Sequence, residues 1–282
     1  MTPGILPGWA TLSPAARDAA YNNAAAASDL AGHRARRLAA SAAARARPGG
    51  LLDLRYGPRP AQRIDLFPAA DPAAPCLVFL FGGYWQMNGK DDFTAAADGV
   101  RALGWSAALP GYSLAPAVRL ADIVAEVRAA LDWLAAEGPA RGIAGPLVVA
   151  GWSAGGHLAA TALDHPAVAA GLALSGIFEL APLRDTYLND KLRLSEAEIA
   201  TLSPLRQPPS PRPLIIAYGA DELPALVENS RAFHAHRRRA GTPGPLLALE
   251  GHDHFAVLED LQSQTGILPQ ALLRLATDIT GR

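Results

Sequence analysis

Short apolar segments alternate with longer helical patterns over most of the chain from Leu51 onward. Gly and Pro bound these segments, and the later ones contain almost no polar residue, as is typical of strands that helices cover on both faces. The predicted strands are residues 51–56, 64–67, 77–81, 106–109, 147–150, 171–174, 214–218 and 246–249.

The segments between these strands follow the period of an α-helix. In residues 120–136, Ile123, Val127 and Leu134 recur at helical spacing, and we expect the opposite side of that helix to be solvated. The solvated side is predicted to carry Asp122, Glu126, Arg128, Asp132 and Glu137. Strands that alternate with helices predict the α/β class with a mostly parallel sheet of eight strands. Only residues 57–62 separate the first two strands, which favours an antiparallel hairpin at one edge.

Two further segments complete the predicted organisation. Residues 1–50 are rich in alanine and arginine, with a helix start at Ser13-Pro14 and a stop at 48–50, and we expect ordered helices laid on the core rather than a disordered tail. Residues 176–213 are polar and punctuated by proline, and are interpreted as a cap insertion over the strand ends that helps select the substrate. No repeat or linker divides the chain, so residues 1–282 are predicted to form one domain.

Composition narrows the class of partner. The chain of 282 residues has 25 Lys and Arg against 26 Asp and Glu, a net charge of −1, which disfavours nucleic acid or an acidic membrane as partner. A small-molecule substrate is expected, and a homo-oligomer is compatible with the sequence but supported by no residue pattern. The single cysteine, Cys76, lies in an apolar run and is predicted to be a buried hydrophobic residue. Residues 1–10 have no basic leader pattern, and no segment is long and apolar enough to span a membrane, so a soluble, cytoplasmic protein is predicted.

The strongest chemical signal is the sequence Gly151-Trp152-Ser153-Ala154-Gly155, which matches G-x-S-x-G. It follows a predicted strand and precedes a predicted helix, and such a sharp turn exposes the serine oxygen while small neighbours make the turn possible. Ser153 is therefore predicted to be a nucleophile. The alternative is an ordinary serine in a glycine-rich loop.

A serine nucleophile needs an imidazole base and a carboxylate that orients it. The loop after the last strand contains His252 and His254, which spacing alone does not separate. A metal site is the competing interpretation of His-x-His, but no further ligand cluster accompanies it. Asp221 and Glu222 follow the strand 214–218, and one of these two carboxylates would serve only the start of a helix.

The transition state of acyl transfer also needs hydrogen-bond donors for a developing oxyanion. Gly82 and Gly83 follow the third strand and would let backbone N–H groups approach a substrate oxygen, and the N–H of Ala154 would complete the oxyanion hole. A simple glycine turn is the alternative. Tyr84 and Trp85 come next and are predicted to stack on an aromatic ring of the substrate, or else to pack the loop.

These motifs together resemble the arylformamidase (kynurenine formamidase) family of serine hydrolases, within the α/β-hydrolase fold. The oxyanion stretch of that family is similar to Phe81-Gly82-Gly83-Tyr84-Trp85, and its nucleophile turn is similar to 151–158. Further similar positions are 21–23, 112–116, 175–178, 186–189 and 203–204, so the resemblance spans nearly the whole chain.

The resemblance implies Ser153 as nucleophile, His254 as base, Glu222 as acid and N-formylkynurenine as substrate. It implies no cofactor and no metal. Two positions depart from the family: Phe81 replaces a histidine, and Glu222 stands where aspartate is frequent. Phe81 removes a polar side chain that would fix the oxyanion loop, so packing must position the loop instead. A carboxylesterase for short acyl esters is the nearest alternative function, and a catalytically weakened binding protein, supported only by Phe81, is the alternative from another class.

Overall fold

The eight predicted strands form one sheet in the computed structural model, which describes residues 6–242 and 244–281. Residues 1–5, part of the segment used for the leader prediction, lie outside the described residues. The strands are β1 (Leu51–Arg55), β2 (Arg63–Phe67), β3 (Cys76–Leu80), β4 (Ser106–Pro110), β5 (Leu147–Trp152), β6 (Val168–Leu174), β7 (Leu214–Gly219) and β8 (Leu246–Leu249).

The spatial order of the strands is β1-β2-β4-β3-β5-β6-β7-β8. β2 pairs antiparallel with both β1 and β4, and the remaining pairs are parallel, which confirms the edge hairpin and the mostly parallel sheet. β3, β4, β5 and β7 are buried along their whole length because helices cover both faces. Because these strands run parallel, their carboxyl ends lie at the same edge of the sheet, and the loops that follow them bring side chains together there.

Helices precede the first strand, connect many of the strands and follow the last strand. They are α1 (Pro14–Ala20), α2 (Asn23–Ala26), α3 (Leu30–Arg45), α4 (Asp98–Ala102), α5 (Leu120–Glu137), α6 (Ala154–Ala162), α7 (Asn189–Leu192), α8 (Glu196–Leu202), α9 (Pro224–Arg239), α10 (Val257–Asp260) and α11 (Ile267–Thr280). In the described part of the chain, no helix combines the length and apolar character that crossing a bilayer requires.

The prediction for α5 is wrong at one position. Ile123, Val127 and Leu134 are buried as expected, but Glu126 is buried as well. Its carboxylate accepts hydrogen bonds from the backbone N–H of Ser113 at 2.7 Å and from the guanidinium of Arg59 at 3.2 Å. Glu126 therefore fixes the loop after β4, a contact that helical periodicity does not reveal.

The N-terminal segment is helical, as predicted, and polar contacts attach it to the sheet region. Ser13 caps α1 by accepting a hydrogen bond from the N–H of Ala16. At the end of α3, Arg45 contacts the fully buried carboxylate of Asp65 at 2.9 Å. Lys90 reaches the same carboxylate at 2.8 Å, so a buried charge on β2 is compensated by two cations.

Candidate active site

Ser153 occupies the sharp turn between β5 and α6. Its backbone φ of 58° and ψ of −118° are rare for a residue with a side chain, as the G-x-S-x-G pattern predicts. A Cβ on Gly151 would lie 2.1 Å from the carbonyl oxygen of Gly155, and one on Gly155 would lie 1.9 Å from that of Leu80. Both glycines are therefore required for the backbone to pass this closely.

One hydrogen-bonded row joins a hydroxyl, an imidazole and a carboxylate. His254 Nε2 lies 3.1 Å from Ser153 Oγ, and His254 Nδ1 lies 2.9 Å from Glu222 Oε2. All three side chains are buried. Because the carboxylate only accepts, it favours the tautomer with hydrogen on Nδ1, which leaves Nε2 free to accept the hydroxyl proton.

The structure thus places one member of each undecided pair in this row. His252 is separate from it, with Nδ1 2.8 Å from the carbonyl oxygen of Glu250. Asp221 is exposed, whereas Glu222 is buried. The geometry therefore favours His254 and Glu222 for the base and acid positions.

Two donors hold the carboxylate of Glu222 in place. Ser175 Oγ donates to Glu222 Oε1, and the backbone N–H of Gly219 donates to the same oxygen at 2.7 Å. Ser175 is fully buried and has a φ of 52°, at the carboxyl end of β6. The sequence analysis gave it no role, although its position directly after a buried strand was the available signal. Its hydroxyl holds the carboxylate of Glu222 in place.

The loop after β3 brings Gly83 to the edge of the site. Gly83 has a φ of +123°, and a Cβ there would lie 2.5 Å from the carbonyl oxygen of Met87. A Cβ on Gly82 would lie 2.6 Å from the carbonyl oxygen of Trp152, so Gly82 packs directly against the strand that carries Ser153. Among the described residues, neither glycine N–H meets a protein acceptor. Ala154 is the buried first residue of α6, next to Ser153.

Phe81 occupies an aromatic cluster behind this loop. Its ring stacks on Tyr112 with centroids 4.1 Å apart and on Phe93 at 6.0 Å. The hydroxyl of Tyr112 donates to the carbonyl oxygen of Phe81, and Asn88 Nδ2 donates to that of Gly82 at 3.0 Å. Packing and these two hydrogen bonds position the loop without a histidine at residue 81.

Ser153 and His254 line a cavity of about 410 Å³. The N-terminal segment forms part of the wall, through Asn23, Leu30, Arg34 and Arg37 among others. Tyr187 is the residue that segment 176–213 contributes to the described lining. The sequence analysis assigned substrate selection to that insertion. In the structure, helices α2 and α3 contribute more of the described lining than the insertion does.

Tyr84 lines this cavity, but its hydroxyl is already engaged. The hydroxyl accepts a hydrogen bond from Asn23 Nδ2 at 3.0 Å and donates one to the carbonyl oxygen of Tyr21 at 2.5 Å. Burial raises the pKa of Tyr84 well above its ordinary value, so the hydroxyl stays protonated. Tyr84 thus ties the loop after β3 to the N-terminal segment and leaves only its ring for a substrate.

The structure does not bring Trp85 to the cavity. Trp85 is fully buried and meets the ring of His157 edge-on, with centroids 5.0 Å apart. Burial lowers the pKa of His157 to about 4, so this imidazole is neutral at pH 7. The pair packs the interior behind the loop, which is the alternative stated for Trp85 above.

Comparison with known proteins agrees with the fold. A family model described as the alpha/beta hydrolase fold matches residues 77–207. The chain is 27% identical over 242 residues to kynurenine formamidase of Danio rerio, covering 80% of this chain and 81% of that protein. It is 34% identical over 115 residues to the esterase LipC of Mycobacterium tuberculosis, covering 38% of this chain and 28% of that one.

A solved structure is similar over nearly its whole length. This protein from Silicibacter sp. TM1040, which has been suggested to be a thioesterase, is 28% identical with a TM-score of 0.81, covering 91% of this chain and 98% of the other. The sheet order, the turn at Ser153 and these likenesses lead to one assignment. The protein is a hydrolase of the α/β-hydrolase fold that is similar to the kynurenine formamidases.

Proposed function

We propose that the protein hydrolyses N-formyl aryl amides, with N-formylkynurenine as the substrate and kynurenine and formate as products. The observation that carries the proposal is the hydrogen-bonded row from Ser153 through His254 to Glu222. Ser153 and His254 line a cavity of about 410 Å³, which is large enough for a small-molecule substrate. The similarity to kynurenine formamidase of Danio rerio supports the choice of substrate.

In the proposed reaction, Ser153 Oγ attacks the formyl carbon while His254 Nε2 takes the hydroxyl proton. Glu222 keeps the proton on Nδ1 and stabilises the imidazolium that forms. The N–H groups of Gly82, Gly83 and Ala154 are the proposed donors to the oxyanion. His254 then protonates the departing arylamine, and water releases formate from the formyl-enzyme by the same route.

The cavity lining suits an aromatic leaving group. The rings of Tyr84, Trp152 and Phe255 line it together with Met87, and such rings contact aryl groups by stacking or edge-on packing. A formyl group is the smallest acyl group, so little space is needed beside Ser153. The ring of Tyr84, rather than its bonded hydroxyl, is the proposed contact, and Trp85 is not part of the proposed substrate site.

Steady-state kinetics of wild type and Ser153→Ala on N-formylkynurenine and p-nitrophenyl acetate test the proposal. We expect wild type to prefer the formamide by at least about tenfold in kcat/KM, and Ser153→Ala to lose at least about 10⁴-fold on both substrates. If wild type hydrolyses only the ester, the formamidase proposal fails.

A carboxylesterase acting on short acyl esters is the second candidate. The match to the esterase LipC over 115 residues favours it, and ester hydrolysis uses the same row of side chains. The kinetic comparison above separates the two candidates.

A folded wild type that a fluorophosphonate probe fails to label at Ser153 would instead favour a binding protein without catalytic activity. The packing of Phe81 against Tyr112 argues against that third possibility, because it keeps the loop after β3 ordered.

A further inference from the structure

One face of α3 forms part of the wall of the cavity that contains Ser153. Leu30, Arg34 and Arg37 line it, at spacings of four and three residues, which places them on the same side of the helix. The neighbouring Arg36 points elsewhere, with its guanidinium bonded to Asp29 at 3.2 Å and to Glu259 at 3.0 Å. Two arginines of one helix therefore face the cavity, and the arginine between them is engaged in surface ion pairs.

Arg37 is half-buried and lacks a partner. Its Nε is buried without a hydrogen bond, and within residues 6–242 and 244–281 no carboxylate lies within 4.0 Å of its guanidinium. Its contact is the ring of Phe93, with the guanidinium carbon 4.3 Å from the centroid. Desolvation of a cation without an anionic partner is unfavourable, which marks the position as one that an anion would stabilise.

The other charges around Arg37 leave this position cationic. Asp92 lines the same cavity and attracts Arg37 electrostatically, but one of its carboxylate oxygens accepts the N–H of Gly89 at 3.2 Å. Arg34 is exposed and adds a second positive charge. Two guanidinium groups against one carboxylate leave a net positive charge on this part of the wall of the cavity that His254 also lines.

We infer that Arg37, assisted by Arg34, binds a carboxylate on the leaving-group side of the substrate, so that the enzyme selects aryl formamides that carry an acidic group. The inference rests on the proposed function and specifies its substrate class. A guanidinium presents two parallel N–H donors that match a carboxylate. Ser153, Tyr84, Phe255 and Arg37 line the same cavity, so a carboxylate on the leaving group would share that cavity with the guanidinium of Arg37.

The test compares substrates that differ only in the carboxylate. N-formylkynurenine and its carboxamide form one pair, and 4-acetoxybenzoate and 4-acetoxybenzamide form an ester pair that is independent of formamide chemistry. We expect wild type to prefer the acid of each pair by about tenfold or more in kcat/KM. Arg37→Gln should abolish this preference mainly through KM, by weakening the binding of the two acids, and Arg37→Lys should restore part of it.

Arg36→Gln is the matched control, because it removes the same charge from the same helix outside the cavity, and it should retain the preference. If Arg37 serves only to pack Phe93, Arg37→Gln slows the acid and the carboxamide of each pair equally, and the inference fails. A wild type that turns over formamides without preferring the acid also overturns the inference, while the proposed function stands. If wild type prefers the acid in the ester pair but hydrolyses no formamide, the inference stands and the proposed function fails. A wild type that is inactive on both pairs overturns the inference and the proposed function.

Discussion

Replacement of Tyr84 by Phe isolates the contact between the loop after β3 and the N-terminal segment. The substitution keeps the ring that faces the cavity and removes a hydroxyl that holds two buried groups, Asn23 Nδ2 at 3.0 Å and the carbonyl oxygen of Tyr21 at 2.5 Å. Each buried group that loses its partner costs about 1–3 kcal/mol, and Phe regains a little by burying no hydroxyl. We therefore expect Tyr84→Phe to lower the free energy of unfolding by about 2–4 kcal/mol.

Urea denaturation followed by tryptophan fluorescence measures this change as a lower midpoint at constant m-value. Tyr218→Phe is the control, since the Tyr218 hydroxyl contacts only the exposed Arg231, at 3.1 Å, among the described residues, and water can replace it. We expect less than about 1 kcal/mol there. A Tyr84→Phe variant as stable as Tyr218→Phe would refute the assigned role of the hydroxyl, and an unchanged KM in Tyr84→Phe would agree with a substrate contact through the ring alone.

Three further predictions concern buried polar groups. Ser175→Ala removes one of two donors to Glu222 and should lower kcat about fivefold to tenfold, the equivalent of about 1 kcal/mol, with KM nearly constant in steady-state assays. Lys90→Met leaves the buried Asp65 with a single cation and should destabilise the fold by about 3 kcal/mol in urea denaturation; no loss would contradict the assigned charge compensation. Burial lowers the pKa of His157 from 6.5 to about 4, so the unfolded chain takes up this proton first as the pH falls. Between pH 7 and pH 4 the wild type should therefore lose about 3 kcal/mol more stability than His157→Gln, and parallel pH profiles would contradict this.

The central strands of the sheet were predictable because they are buried on both faces. A run such as 147–150 has no polar residue that would indicate an exposed side. Its apolar character and the glycines after it were therefore sufficient to predict a buried strand. The position of Ser153 was predictable for a different local reason, because the turn requires small residues at 151 and 155. Local sequence determines these features, and the structure agrees with the predictions within one to three residues.

Side-chain direction in loops was not predictable to the same degree. His252 and His254 lie in one loop with the same chemistry, and only the backbone path decides which of them meets Glu222. Glu126 was assigned to the solvent because its partners, Arg59 and Ser113, are distant in sequence or belong to an irregular loop. Contacts of this kind depend on tertiary structure, which periodicity does not encode.

The arginines of α3 were missed for a related reason. In an alanine-rich and arginine-rich segment, Arg34, Arg36 and Arg37 have the same appearance in the sequence, although the structure gives them different surroundings. Which of them faces the cavity depends on how α3 docks, and that is set by side chains such as Arg45 on Asp65.

Helices α2 and α3 form one wall of the cavity, and α2 also lies next to Glu222 and His254. This wall contributes no strand to the sheet, and it precedes residues 77–207, where the family model matches. Exchange of this wall between related proteins would alter which leaving groups are accepted while Ser153, Glu222 and His254 stay where they are. A chimera that replaces this N-terminal piece of chain is therefore expected to change substrate preference, provided that the new piece reproduces the contacts with Tyr84, Asp65 and Glu259.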